Sequence, residues 1–444
     1  MSPSIATALC GLVVAGLFLL DHTQKPRVSW AVWIPIAWLS ISASRFVSQW
    51  FRGLETVVAD QYLEGNPLDA AIFAVLLVAG LAVLIARRRR ARTLLQRNAP
   101  LLVFFCYCVL SVLWSDYPFV AFKRWIKALG DLVMVLVVMT DVEPTAAIKR
   151  LLTRPGFLLI PLSILLIRYY PSLGRAYSEW TGTPYNIGVA TGKNGLGYVC
   201  LIFGLGSLWC FLEAIRDRRS GQVSRLLIAH GALLVLALWL FRMANSATSL
   251  GCFLIGGLLL VVTRTLAVAR RSGVVHLMVG TVLFIILYGL ILSPSADLVA
   301  TVGRDSTLTG RTVLWNKALS MTVNPYFGAG YESFWLGRRL EKIWSTNWEH
   351  PNQAHNGYLE IYLDLGWIGL ILLGFVMVSG YRGIVRALRW DPGASQLRLV
   401  LLVVAAIYNL TEHAFRELHP VWIVFLLAIT VMPQHHIRST REAV

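Results

Sequence analysis

Apolar stretches long enough to cross the hydrocarbon of a bilayer, roughly 17 to 25 residues each, recur along this chain between clusters of Arg, Pro, Asn and Asp. Lipid offers no partner to a backbone N–H or C=O, so a spanning segment must satisfy its own, and continuous apolar runs do this as helices. Spans are expected near 28–44, 68–86, 99–114, 125–140, 156–170, 195–214, 226–243, 247–263, 274–293, 357–380, 397–410 and 418–433. The segment 5–20 has neither the basic N-terminal region nor the small-residue cleavage site of a signal peptide, and reads as a further membrane helix. Composition agrees: 57% of residues are hydrophobic, 14% are charged and the mean hydropathy is +0.64. A soluble chain of 444 residues needs far more polar surface than that. The expected fold is an all-α polytopic membrane protein of about twelve transmembrane helices, thirteen with 5–20. Its three parts are N-terminal helices over 1–293, one large folded extracytoplasmic loop over 294–356, and C-terminal helices with a short basic tail over 357–444.

Short loops rich in Lys and Arg stay in the cytoplasm. Arg87, Arg88, Arg89, Arg90, Arg92 and Arg97 form one such loop; Arg216, Arg218, Arg219 and Arg225 a second; Arg264, Arg270 and Arg271 a third; Arg382, Arg386, Arg389 and Arg398 a fourth. With the spans above, all four fall on one face. The formal net charge of +17 is therefore mostly topology and affinity for anionic lipid headgroups, and nucleic acid is not an expected partner. The opposite face receives 45–67, 115–124, 171–194, 294–356 and 411–417. The Trp, Tyr, Gly and Pro content of 294–356 argues for a folded loop, and loops of that length in compact proteins are usually functional or disordered. Cys10, Cys106, Cys108, Cys200, Cys210 and Cys252 all lie in apolar spans, where they act as small apolar residues, so neither a disulfide framework nor a thiolate metal site is expected.

The large loop carries Thr307-Leu308-Thr309-Gly310-Arg311-Thr312, a turn Pro325-Tyr326-Phe327-Gly328-Ala329-Gly330-Tyr331, and His355-Asn356 followed by Gly366 and Gly369. Thr309 is expected to cap a short helix beginning near Gly310, with Arg311 in its first turn and Trp315 one turn later on the same face. Earlier come Leu113-Trp114-Ser115-Asp116-Tyr117-Pro118, Lys123-Arg124-Trp125, Tyr170-Pro171-Ser172-Leu173-Gly174-Arg175 and Gly192-Lys193-Asn194-Gly195-Leu196-Gly197. In this order and spacing, over roughly residues 45 to 415, the chain resembles the O-antigen ligase and O-antigen polymerase family, and most closely its exopolysaccharide-polymerase branch.

The resemblance implies a glycosyltransferase-C-like membrane enzyme. It would move an oligosaccharide from an undecaprenyl-diphosphate carrier onto an acceptor hydroxyl at the periplasmic face of the bacterial inner membrane. Inversion at the anomeric carbon, no nucleotide sugar, no metal and no cofactor are implied with it. Such chemistry needs a cation for the departing diphosphate and a positioned base for the acceptor. Arginine suits the first because its planar fork pairs with phosphate oxygens and stays charged. The resemblance assigns the base to His355, where the loop re-enters the membrane; the alternative is a loop histidine that caps the following helix. It assigns the diphosphate to Arg311, helped by a helix N-terminus; the alternative is an arginine that pins the loop. Lys193, Arg175 and Arg242, with Asn194, Asn356 and Glu332 inside the same motifs, are further candidates for diphosphate or glycan binding. His350 is read as support for the loop, and its five-residue spacing from His355, with Glu349 beside it, falls outside compact zinc motifs. Glu412, His413 and Arg416 rank behind these, the first and last reading as a pair on one helix face. Lys123 and Arg124 read as contacts to lipid headgroups or carrier phosphates.

The ligase branch tends to carry an arginine where this chain has Thr248, which tilts the reading toward a polymerase whose acceptor is another glycan. The other acceptors left open are lipid A core, for a ligase, and a Ser or Thr hydroxyl, for a protein O-oligosaccharyltransferase. A transporter or flippase that binds lipid-linked sugar without making bonds is the alternative of a different class; inverted repeats would favour it, and none is visible.

Overall fold

The computed structural model describes residues 1–21, 28–52, 65–177, 182–216, 222–264, 271–292, 307–345 and 350–432. Every expected span forms helix, and proline sets where many begin. Pro3, Pro67, Pro100, Pro118, Pro144, Pro392 and Pro420 each sit in a first turn, where a missing N–H leaves no bond unmade. Six described helices are both long and apolar enough to cross a membrane: Pro3–Leu20, Pro67–Ala86, Pro144–Tyr169, Lys193–Arg216, Ser224–Ala244 and Gly357–Ala387. Arg88–Arg97 and Ala99–Trp114 qualify together but meet at 87°. Trp30–Ser42, Ala247–Thr263, Ser272–Ile286, Pro392–Tyr408 and Pro420–Ile429 are shorter apolar helices. The span expected at 125–140 is the apolar half of Pro118–Met139, whose first half carries Lys123, Arg124 and Lys127. Lengths differ widely, from the 31 residues of Gly357–Ala387, broken at Gly366, and the 26 of Pro144–Tyr169 to the 10 of Pro420–Ile429.

Polar contacts sort the helix termini into two ends. At one end Arg87 pairs with Asp141 at 3.1 Å, Arg264 with Glu213 at 2.8 Å, Trp209 donates to Gly393 O, Gln396 to Thr263 O and Asn98 accepts from Val431 N. Among the arginines of the four basic loops, Arg87, Arg97, Arg216, Arg264, Arg382 and Arg386 lie at or near helix termini of this end, and Arg218, Arg219 and Arg270 lie outside the described residues. Arg398 departs from expectation. It is buried inside Pro392–Tyr408, where its guanidinium satisfies Ala428 O and Thr430 O at the close of Pro420–Ile429, so packing at a helix C-terminus, and not a loop, explains it. The first helix joins both ends: Thr7 meets the Tyr170 hydroxyl at 2.9 Å, and Asp21 pairs with Arg154 at 2.9 Å and faces His230 at 3.3 Å.

The other end collects the irregular structure. A two-stranded antiparallel hairpin, Arg175–Tyr177 with Pro184–Asn186, lies over it. Arg45, buried, donates to the backbone carbonyls of Ala190, Gly188 and Leu173 and so ties that hairpin to the bundle. Residues 307–345 and 350–356 enclose a small core of their own around Leu314, Ala318, Phe334, Trp335, Leu340, Ile343 and Ala354. Their turn at 325–334 docks on a break in the Gly357–Ala387 helix. Gly366 there has φ 63°, and a Cβ on it would lie 2.2 Å from Tyr326 O. The turn supplies carbonyls to the helix, Pro325 O to Trp367 N at 2.9 Å and Tyr326 O to Ile368 N at 3.2 Å, and takes Asp364 O for Gly330 N at 2.8 Å. The glycine motifs at 325–331 and 366–369 are thus two halves of one junction.

Gly366→Ala is expected to lower stability by roughly 1–3 kcal/mol from left-handed backbone strain alone, with the clash against Tyr326 added. The checks are thermal unfolding in detergent and faster proteolysis within 307–356. Unchanged protease resistance would count against the junction as the loop's anchor.

Candidate functional site

Pro392–Tyr408 and Pro420–Ile429 are joined by 409–419, a run of turns that brings the candidate residues together. Side chains hold its backbone from three sides. Asn409 Oδ1 accepts Ala414 N at 2.9 Å, Asp131 Oδ2 accepts Leu418 N at 2.8 Å, and Trp38 Nε1 donates to the other oxygen of Asp131 at 2.7 Å. Gly357 N in turn donates to both Asn409 O and Glu412 O, which fixes the start of the following helix against the turns. Because 409–419 is not helical, the four-residue spacing of Glu412 and Arg416 defines no shared helix face, correcting that expectation.

Glu412 is instead the meeting point. Its Oε1 accepts Asn194 Nδ2 at 2.9 Å, and its Oε2 lies 3.5 Å from His355 Nδ1. His355 is held at φ 53°, is about one-third exposed, and has Gln353 Nε2 at 3.4 Å from the same ring nitrogen. The adjacent Thr411 offers its carbonyl to Arg311 Nη1 at 2.9 Å and its hydroxyl to Thr248 Oγ1 at 3.1 Å. Base candidate, carboxylate and arginine therefore converge on two consecutive residues. The arginine's helix runs Thr307–Ser320, so Thr309 lies inside it and Arg311 falls in the second turn; the expected cap and first-turn placement are both displaced by a start three residues earlier. Trp315, one turn on, donates to Ala354 O at 2.7 Å and packs this helix against the His355 turn.

The remaining candidates divide. Asn194 reaches the site through Glu412, while its neighbour Lys193 is exposed at the helix start. Asn356 caps its helix, its Oδ1 accepting Tyr358 N at 3.0 Å and Leu359 N at 3.1 Å. Arg175 lies on the hairpin and donates to Ile167 O at 3.1 Å; Arg242 is exposed at the end of its helix, beside the Met243 carbonyl that Asn186 binds. Neither arginine is among the contacts of His355 in the described residues. His350 stacks on Trp344, ring centroids 4.8 Å apart, and Glu349 lies outside the described residues. Arg124 donates to the Glu332 carbonyl and Lys123 sits over the Phe119 ring, so one of these two cations serves the loop.

Glu332 belongs to a second cluster beneath the first. Its carboxylate is 3.8 Å from His413 Nε2, and Glu360 Oε1 is 3.7 Å from His413 Nδ1. Neither ring nitrogen has a hydrogen-bond partner among the described residues. Glu360 itself accepts Trp335 Nε1 at 2.6 Å and Ala354 N, which positions the chain immediately before His355. Burial, then Glu417 and Asp364, pushes the Glu332 carboxyl well above the carboxylate range, while burial, then Arg416, holds the His413 imidazole well below its ordinary value. Both shifts favour uncharged forms, as desolvation requires. Glu412 and Asn194 meet from opposite parts of the chain, and sequence reading ranks Glu412 low because nothing local marks it; Arg45, a cation just past an expected span, is the residue that an intramembrane-charge rule could have found.

Stability should record these shifts with opposite signs. A histidine depressed by folding contributes above its unfolded value of about 6.5 and loses that contribution as pH falls. A raised carboxyl contributes at low pH and loses it as pH rises. His413→Gln is therefore expected to flatten the acid-side fall in the unfolding midpoint, and Glu332→Gln the alkaline-side fall. Parallel pH profiles for the two variants and wild type would contradict the assignment.

Comparison with known proteins gives this geometry a setting. Residues 200–374 match the family described as O-antigen ligase. The chain is also similar to the exopolysaccharide production protein ExoQ of Rhizobium meliloti, 26% identical over 290 residues. That alignment takes in 63% of this chain and spans 63% of the relative's length. The family match runs from within the Lys193–Arg216 helix through Arg311 and His355 to beyond the Gly366 break, so it contains the later motifs, at 307–312, 325–331, 355–356 and 366–369, while the earlier ones at 113–118, 123–125, 170–175 and 192–197 lie before it. Over that segment the chain, with its several apolar helices, is similar to the O-antigen ligase and polymerase family.

Proposed function

We propose that this chain is a glycosyltransferase that moves an oligosaccharide from an undecaprenyl-diphosphate-linked donor to the hydroxyl of another glycan, at the periplasmic face of the bacterial inner membrane. The observation that carries the reading is the convergence of His355, Glu412 and Arg311 on the turn at 411–412. Glu412 lies 3.5 Å from Nδ1 of His355, where its charge stabilises the imidazolium that forms as Nε2 takes the acceptor proton. As the new glycosidic bond forms on one face of the anomeric carbon, the bond to phosphate breaks on the other, giving inversion. The electron pair departs with the diphosphate, and the acceptor proton passes to Nε2. Arg311 spends one N–H on Thr411 O. Its other donors remain to match phosphate oxygens, the pairing that stabilises the leaving charge. No step needs a metal.

Two observations favour polymerase over ligase. Thr248 occupies the place where ligases tend to have arginine, and it bonds Thr411 within the same cluster. The relative's name speaks of exopolysaccharide production. The sidedness follows from the arginines: the end of the bundle holding Arg87 to Arg97, Arg264 and Arg382 to Arg389 faces the cytoplasm, 5–20 is a crossing of its own, and 294–356 is periplasmic.

The test is reconstitution of the purified chain in nanodiscs with a defined lipid-linked repeat unit, following glycan elongation on gels. His355→Ala should lose about 10²–10⁴ in rate, the range for a positioned general base. Glu412→Gln should fall by about tenfold or more and shift the acid limb of the pH–rate profile, because it acts through the histidine. Arg311→Lys keeps the charge and loses the fork, and a loss of about tenfold or more is expected. Wild-type elongation by His355→Ala would sink the base assignment. Activity abolished by EDTA and restored by a divalent ion would refute the metal-free mechanism. Transfer to lipid A core in place of a glycan would turn the polymerase into a ligase, and transport without new bonds would end the enzymatic reading.

A further inference from the structure

The turn at 325–327 presents its side chains outward and keeps its backbone to itself. Tyr326 is 63% exposed and Phe327 43%, beside Trp114 at 38% and Trp367 at 52%. Every backbone polar group of these three turn residues is nevertheless met from within the protein. Asn324 Oδ1 accepts Tyr326 N at 2.8 Å and Phe327 N at 3.2 Å, and Pro325 has no N–H to place. The carbonyls of Pro325 and Tyr326 go to Trp367 N and Ile368 N, and Phe327 O accepts the indole N–H of Trp114 at 3.2 Å. A turn exposed to water has no need of such closure, because water supplies the partners. A turn set against lipid needs all of it.

The helices beneath the turn lead to the same place. In Gly357–Ala387, Trp367, Ile371, Phe375 and Val378 are each at least half exposed, and their spacing puts them on one helix face. No charged residue interrupts the helix between Trp367 and Val378. Val103, Leu110 and Leu113 form a matching exposed stripe on Ala99–Leu110 and the short helical turn Ser111–Trp114 that follows it. The two helices pack side by side, with Tyr107 donating to Leu365 O at 3.0 Å. Uncharged stripes of this kind on spanning helices face hydrocarbon, and both end at Tyr326 and Phe327. There the surface turns aromatic: Trp114 meets Phe327 edge-on with ring centroids 5.7 Å apart, and Trp367 meets Tyr362 at 5.5 Å. Trp and Tyr collect where a membrane passes from hydrocarbon to headgroup, because each joins an apolar body to a polar handle. Next to the aromatics comes charge, an exposed Asp116 paired with Arg339 at 2.6 Å.

Apolar stripe, aromatic cluster and charged rim follow the order in which a bilayer changes from core to water. We propose that the turn at 325–327 is a wedge seated at the boundary between acyl chains and headgroups, flanked by Trp114 and Trp367, with bulk bilayer lipid as its partner. Through the Gly366 junction the wedge holds the small core around Phe334 and Leu340 down on the membrane surface. Its seating in lipid is independent of whether the chain transfers glycans.

The experiment attaches an environment-sensitive dye to single cysteines in the full chain. Cys10 and Cys106 are first changed to serine, because the other four cysteines are buried. Tyr326→Cys and Leu113→Cys place the dye in the patch, and Glu341→Cys places it on the exposed face of Gly337–Trp344 as a reference for water. All three side chains are exposed, so no substitution removes packing. The chain is held in nanodiscs of phosphatidylcholine and phosphatidylglycerol without polyprenyl carrier, so bulk lipid alone supplies the contact. At Tyr326 and Leu113 the emission is expected to shift to the blue, to be quenched by lipid bearing a nitroxide at the top of its acyl chain, and to resist aqueous iodide. Glu341 is expected to show the reverse. Iodide quenching at Tyr326 as strong as at Glu341 would put the turn in water and overturn the wedge. Shielding of both patch sites from nitroxide and iodide alike would mean that a second copy or another protein covers them, and would overturn it too.

Discussion

Irregular backbone at the rim of an apolar bundle cannot rely on water, and the site depends on how its N–H groups are met from within. Buried acceptors do this at each turn. Asp364 takes Ser333 N and Phe334 N at 3.0 and 2.9 Å, Asp69 takes Ser48 N, Asn409 takes Ala414 N, Asp131 takes Leu418 N and Glu360 takes Ala354 N. Each acceptor sits on or beside a helix, and every N–H but that of Ser48, which opens the Val47–Arg52 helix, lies on irregular backbone, so the regular part of the fold dictates the shape of the irregular part. Removing one such acceptor leaves its partner unsatisfied in a poorly hydrated place, which is more costly than losing the bond itself. Carboxylates and amides at this end are therefore structural and chemical at once, with Glu412 the clearest case.

The same logic joins motifs that are distant in sequence. Leu113 to Pro118 packs against 327–339: Trp114 Nε1 donates to Phe327 O, Ser115 and Ser333 share a hydroxyl bond of 2.8 Å, Ser111 Oγ accepts Tyr331 N and Arg339 pairs with Asp116 at 2.6 Å. Tyr107 reaches Leu365 O on the far side of the junction. The early motif is thus a socket for the later loop, and the two read as separate features only along the chain.

What sequence could and could not reveal follows from these contacts. Helices were legible because hydrocarbon demands long apolar runs and proline and arginine punctuate them. His355 and Arg311 were legible through motif order, since both lie in short local patterns. Glu412 was not, because its importance comes from Asn194 and His355 meeting it across the fold, and its spacing from Arg416 suggested a helix where packing makes turns. The start of the Arg311 helix was misplaced for a related reason: Thr309 suits a cap, but Thr307 to Gly310 continue the helix regardless.

The unequal helix lengths bear on where the chemistry stands relative to the lipid. At 1.5 Å per residue, Pro144–Tyr169 extends about 39 Å and Pro420–Ile429 only about 15 Å. On the proposed transfer from a lipid-linked donor, such a difference in length would let headgroups approach closest over the shortest helix, and a lipid-borne phosphate would reach the turns that carry Glu412 without leaving its own depth.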